Sequence, residues 1–127
     1  MATQSLTHRV LLVDDEPALL GALRRVVERS HPKALVVYAS DPSTAVWQIE
    51  TTALRLVVTD MRMQGDVGAG WAVIHAARAA GIPVVVLTGT EEPDMLADIV
   101  RSAVPLVQKQ RMTTEQLASI VERALAA

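Results

Sequence analysis

Five short apolar runs recur along this chain, and a stretch of helical periodicity separates each from the next. The runs are RVLLV at 9–13, ALVVY at 34–38, LRLVVT at 54–59, IPVVVL at 82–87 and PLVQ at 105–108. The first is apolar after its opening arginine, so it reads as a strand covered on both faces. Pro17 suits the first turn of a helix, and Leu20, Leu23 and Val27 then recur at helical spacing. Asp41-Pro42 reads as an N-cap and a first-turn proline ahead of Ala45, Val46, Ile49 and Ala53. A third helix is predicted over 71–80, with Gly81 placed to cap it, and a fourth over 94–103, with Leu96, Ile99, Val100 and Ala103 on one face. Thr113 and Gln116 form a capping-box pair for a last helix that buries Leu117, Ile120, Val121 and Ala124. Strict alternation of five strands with five helices implies an α/β fold. Its sheet is parallel and doubly wound, with helices on both faces and right-handed crossovers.

In such a sheet, ligands bind beyond the carboxyl ends of the strands. Asp14, Asp15 and Glu16 follow the first strand, and Asp60 follows the third. Thr88 and Gly89 follow the fourth, and Lys109 follows the fifth. Taken singly, each has an ordinary structural explanation: a helix cap, a turn hydroxyl, a solvated lysine. Together they crowd carboxylates on one rim, where they repel each other unless a cation intervenes. A hard divalent ion with oxygen ligands answers that need, and Mg2+ keeps open coordination for a phosphate oxygen. Thr88 and Lys109 then offer a neutral donor and a positive charge to the remaining phosphate oxygens. The set reads as a phosphoryl site. With no serine or cysteine nucleophile on the rim, Asp60 is the best acceptor, because a carboxylate can take a phosphoryl group as an acyl phosphate.

Composition narrows the alternatives. The chain has 127 residues, enough for one ordinary domain and too few for two. A net charge of −2 gives no global field for nucleic acid, so direct nucleic-acid binding is not expected. No cysteine is present, which excludes disulfides, thiolate metal sites and thiol nucleophiles. His8, His31 and His75 lack ligand spacing. Tyr38, Trp47 and Trp71 are too few for base-stacking platforms, and both tryptophans are expected to pack helices. No apolar run reaches membrane-spanning length and no signal peptide is visible, so a cytoplasmic protein is expected. Arg24, Arg25 and Arg29 read as a solvated helix face.

The segments LLVDDEP (11–17), LVVTDMRM (56–63), VVVLTGT (84–90) and LVQK (106–109) resemble the receiver domain of the bacterial response-regulator family. The likeness runs in order along essentially the whole chain. It implies a (βα)5 flavodoxin-like sheet of strand order 2-1-3-4-5 and a place in two-component phosphorelay signalling. Carried over position by position, it makes Asp60 the phosphoacceptor. It makes Asp15 and Asp60 direct Mg2+ ligands, Asp14 a ligand mostly through water, and the backbone carbonyl of Arg62 a further ligand. Thr88 and Lys109 would bind the phosphoryl group. The implied donor is a phosphohistidine on a sensor histidine kinase or a histidine phosphotransfer protein, which the first helix helps to dock. The implied partner or homodimer surface is the helix 4, strand 5 and helix 5 face, with Leu96, Val100 and Leu106. Such a protein is not an enzyme, since it accepts a phosphoryl group and loses it by self-catalysed hydrolysis. The expected organisation is one receiver domain over 1–127, with a short polar lead at 1–7 and no output domain visible in the sequence.

Four departures from the family pattern stand out. Gln110 replaces the proline that usually follows the lysine in a cis bond, so the Lys109–Gln110 bond is expected to be trans. Leu106 replaces the aromatic rotor three residues before the lysine. Gln64 replaces a proline that commonly follows the methionine, and the 60–70 loop, with three of the six glycines, is longer than usual. These bear on conformational readout and remove no chemical group. A receiver-like interaction module that works without phosphate is the main rival, favoured by Leu106 and Gln110 and opposed by the full set of acids, threonine and lysine. A haloacid-dehalogenase-type phosphohydrolase needs a second aspartate two residues after its nucleophile, where Arg62 stands. A P-loop binder lacks its glycine-rich motif, and a flavin binder lacks aromatic loops.

Overall fold

A computed structural model describes residues 8–126. The polar lead expected at 1–7 lies outside the described residues. The elements run β1 (His8–Val13), α1 (Pro17–Ser30), β2 (Ala34–Ala39), α2 (Pro42–Thr51), β3 (Leu56–Thr59), α3 (Gly70–Ala79), β4 (Val84–Thr88), α4 (Pro93–Arg101), β5 (Leu106–Gln108) and α5 (Thr114–Ala126), with a 3-10 turn at Lys109–Arg111. The five strands are parallel, in the order β2-β1-β3-β4-β5.

Side-chain alternation along the strands divides the core in two. Leu11, Val13, Val57, Val84 and Val86 pack with Ala45 and Ile49 of α2 and Val73 and Ile74 of α3. Val10, Leu12, Leu56, Val58, Val85 and Leu87 pack with Leu20, Leu23 and Val27 of α1 and Leu117 and Val121 of α5. β1, β3 and β4 are almost fully enclosed, which explains their near-continuous Val and Leu content.

The expected punctuation is present. Asp41 accepts the Thr44 N–H at 2.7 Å. Thr113 and Gln116 exchange the two bonds of a capping box at 3.1 and 3.0 Å. Gly81 has φ +72° and donates to Arg78, while Ile82 donates to Ala77, so α3 ends in a Schellman motif. The Lys109–Gln110 bond is trans, as all described peptide bonds are.

Several details differ from expectation. Trp47 is 63% exposed, because Ala45 and Ile49 are the residues of α2 turned to the sheet. Val100 is 65% exposed, and Ile99 alone of α4 is fully buried. That helix stops at Arg101 because Ala103 turns to φ +62°, the left-handed value that ends helices. The fully buried line of α5 is Leu117, Val121 and Leu125, with Ile120 and Ala124 half-buried beside it. Among the described residues, no helix is long and apolar enough to cross a membrane.

Candidate functional site

Strand register sets which residues meet at the carboxyl rim. Val13 lies opposite Ala39 and Thr59, Thr59 opposite Val86, and Thr88 opposite Gln108. The residues just past those ends therefore share one edge. Asp14 is anchored by its N–H to the Ala39 carbonyl, and Asp60 by its N–H to the Val13 carbonyl. One carboxylate oxygen from each of Asp14, Asp15 and Asp60 falls within 4.8 Å of the others. That is compact enough for all three to ligate one ion, and the all-oxygen donor set suits Mg2+.

Asp14 is 2% exposed and Asp60 7%. Asp14 Oδ1 accepts the Glu16 N–H at 2.9 Å, and Asp60 Oδ1 accepts the Met61 N–H at 2.7 Å. Their other oxygens share one ammonium: Lys109 Nζ donates to Asp14 Oδ2 and Asp60 Oδ2 at 2.8 Å each. Glu16 stands farther off, at 3.7 Å from the same nitrogen. Burial pushes the Asp14 carboxyl upward despite Lys109 beside it. Burial opposes the charge on Lys109, but its two carboxylate partners outweigh burial and hold its pKa above the usual lysine value.

Both groups bind their proton more tightly in the folded state. Each contribution to stability is therefore full below the unfolded pKa and fades as pH rises through the folded one. Lys109 thus stays charged through neutral pH, whereas ionised Asp14 is held there against its own desolvation. Lys109→Ala leaves the two buried carboxylates facing each other without a cation. In a chelator at neutral pH it should lose about 1–3 kcal/mol of stability, the usual effect of stranding a buried polar group. Urea melts should show this deficit shrinking as pH falls and Asp14 is protonated, and shrinking again when Mg2+ is added.

Thr88, 1% exposed, lines the same cleft of about 780 Å3 as Asp15, Asp60, Arg62 and Lys109. Its hydroxyl accepts the Thr90 N–H at 3.2 Å, which turns the oxygen toward its own loop. The rim thus joins all the side chains expected from the sequence, with Thr88 engaged locally and the lysine on two aspartates. Arg62 has an exposed side chain at the cleft wall.

Three residues contribute to the site in ways that the sequence alone does not show. Gln64 and Gly65 both have positive φ, +54° and +82°, as a type I′ reversal demands, and Met63 and Asp66 exchange both backbone bonds across it. This turn aims the Gln64 N–H at Asp15 Oδ2, 2.8 Å away. A proline here has neither the N–H nor the φ. Gln64→Pro should therefore destabilise by more than about 1 kcal/mol and weaken Mg2+ binding, both readable in one Mg2+ titration followed by thermal melting. The second residue is Gly70, packed directly behind Asp60. The third is Gln110, whose side chain reaches the loop after β4.

The sequence profile described as "Response regulator receiver domain" matches residues 10–122. No curated protein matches the chain. Among solved structures, an uncharacterized protein from Neptuniibacter caesariensis is 25% identical with a TM-score of 0.80, over 94% of this chain and 87% of that one. A response regulator receiver domain protein (CheY-like) from Methanospirillum hungatei JF-1 is 18% identical with a TM-score of 0.80, over 94% of each chain. The signal receiver domain of a DNA binding response regulator protein (merR) from Colwellia psychrerythraea 34H is 21% identical with a TM-score of 0.80, over 94% of this chain and 99% of that one.

Proposed function

The chain belongs to the response regulator receiver domain family, and from that premise we propose that it is a phosphoryl switch whose acceptor is Asp60. The observation that carries this reading is the Lys109 ammonium, set 2.8 Å from both Asp14 and Asp60 on a rim that also holds Asp15 and Thr88.

An oxygen of Asp60 attacks the phosphorus of a phosphohistidine. The O–P bond forms as the P–N bond breaks, and the freed imidazole leaves on the donor protein. Lys109 then exchanges a carboxylate partner for a phosphoryl oxygen, which keeps its charge paired. Thr88 turns its hydroxyl from the Thr90 N–H to donate to another phosphoryl oxygen. Mg2+, when held by Asp14, Asp15, Asp60 and the Arg62 carbonyl, supplies positive charge against the transferring group and relieves the repulsion among the acids. Positioning and charge do most of the work, as is general for phosphoryl transfer. Attack by water on the phosphorus later returns Asp60 and releases phosphate. No external substrate is turned over, so the protein is not an enzyme in the ordinary sense.

A sensor histidine kinase or a histidine phosphotransfer protein is the natural donor. Arg25 and Arg29 of α1 are exposed and available to an acidic partner patch. The α4–β5–α5 face, where Val100 is 65% exposed, is the proposed output or homodimer surface. The rival reading, an interaction module indifferent to phosphate, draws on Leu106 and Gln110. Beryllofluoride, a phosphoryl mimic, separates the two. The switch reading expects a change in tryptophan fluorescence with beryllofluoride that requires Mg2+; an unchanged spectrum with intact partner binding would favour the rival.

A further inference from the structure

The backbone ladder between β4 and β5 ends at the pair Thr88–Gln108. Beyond it the two chains diverge, one into the loop toward α4 and the other into the 3-10 turn that carries Lys109. Two glutamine side chains bridge that gap. Gln108 Nε2 donates to the Thr90 carbonyl at 3.5 Å. Gln110 Nε2 donates to the Gly89 carbonyl and to Glu91 Oε1, both at 3.2 Å. Both acceptors of Gln110 are oxygens, so only the NH2 end of its amide fits, and both its hydrogens are used.

The loop carries the connection onward. Thr88 Oγ1 holds the Thr90 N–H, Thr90 Oγ1 holds the Glu92 N–H at 3.3 Å, and the Glu92 carbonyl accepts the Leu96 N–H in the first turn of α4. A continuous run of hydrogen bonds thus links the segment of Lys109 to the start of α4. That helix buries fully only Ile99, so its first turn depends heavily on this loop.

We propose that Gln110 is a positioning residue that clamps the loop after β4 to the lysine segment, so that displacement of Lys109 at the phosphoryl site moves the start of α4. This rests on the phosphoacceptor reading of Asp60. If Thr88 leaves the Thr90 N–H for a phosphoryl oxygen, the loop loses one of its internal ties. The Gln110 amide then decides whether Gly89 and Glu91 follow the lysine. Leu106 offers no hydrogen bond with which to do the same.

Gln110→Glu keeps the shape, removes both donors and sets a second carboxylate against Glu91. Gln110→Ala removes the side chain and serves where the first variant folds poorly. Gln110→Arg returns N–H donors to the same oxygens. Hydrogen exchange with and without Mg2+ and beryllofluoride is the readout, beside thermal melts and beryllofluoride affinity. In the natural protein, exchange over residues 89–98 should change on binding. In Gln110→Glu and Gln110→Ala that change should fall well below the natural one. Beryllofluoride affinity should move by no more than about tenfold, the span of one exposed hydrogen bond. Gln110→Arg should recover the response. A merely structural role would lower the melting temperature and leave the ligand-induced difference intact. Retention of the full response in both Gln110→Glu and Gln110→Ala would overturn the clamp and leave the acceptor assignment standing. A natural protein that ignores beryllofluoride at saturating Mg2+ would overturn the acceptor reading, and the clamp's role with it.

Discussion

Asp60→Asn should take up no phosphoryl group, and labelling by acetyl phosphate or by a phosphorylated histidine donor should fall to background. The attacking atom must be a carboxylate oxygen, since an amide oxygen lacks the charge to displace a leaving group from phosphorus and the resulting adduct would not persist. The substitution is nearly isosteric, so the fold is retained. Two effects on stability oppose each other. One charge leaves a crowded set of acids, which favours the variant in a chelator. Yet Asp60 accepts from Met61 N–H at one oxygen and from Lys109 at the other, and an amide can serve only one of those donors. A stranded donor costs about 1–3 kcal/mol, so the melt in chelator should shift little, while Mg2+ stabilises the variant less than the natural protein. Full labelling of Asp60→Asn, mapped to another residue, would show that the acceptor lies elsewhere.

The rim was legible from the sequence for a definite reason. In a parallel sheet, the residue after each apolar run must emerge at the same edge, so strand ends alone bring Asp14, Asp60, Thr88 and Lys109 together. The nature of those side chains then suggested the chemistry. What strand ends do not encode is which side chain crosses between loops. Gln110 could be noted as a missing proline, but its bonds to Gly89 and Glu91 join residues about twenty positions apart with no periodic signal between them. The same holds for Gln64, which is a turn residue with positive φ although a glycine follows it. Trp47 misled because bulk and apolarity say nothing about which face of a short helix meets the sheet; the small Ala45 and Ile49 settle that for α2. Val100 misled in the same way beside Ile99.

Gly70→Ala should be the most damaging single methyl in the protein. A Cβ at Gly70 would lie 2.4 Å from the carbonyl oxygen of Asp60, 2.8 Å from Met61 Cα and 2.8 Å from Met61 Sδ. Two of those three atoms are backbone, next to the Asp60 carboxylate, and they cannot swing aside. The Gly70 N–H donates to the Met61 carbonyl at 2.8 Å, so α3 begins in direct contact with the Asp60–Met61 peptide. The glycine is required here for space and not for a left-handed backbone. Adding the methyl must push the first turn of α3 away from β3 or displace Asp60 itself. Overpacking of this kind costs typically 1–3 kcal/mol and more where backbone blocks relief, so about 3 kcal/mol or more is expected, seen as a lower urea midpoint with an unchanged slope. Phosphorylation of the folded fraction should slow as well, because the displaced peptide carries the N–H that holds Asp60 Oδ1. Gly89→Ala is the control: its Cβ would meet Lys109 Cδ at 3.8 Å, an ordinary contact, and stability should hardly change. Equal stability of Gly70→Ala and the natural protein would mean that α3 does not start against Asp60. Trimming Met61 would clear the sulfur contact but neither backbone contact, so it should not rescue the variant.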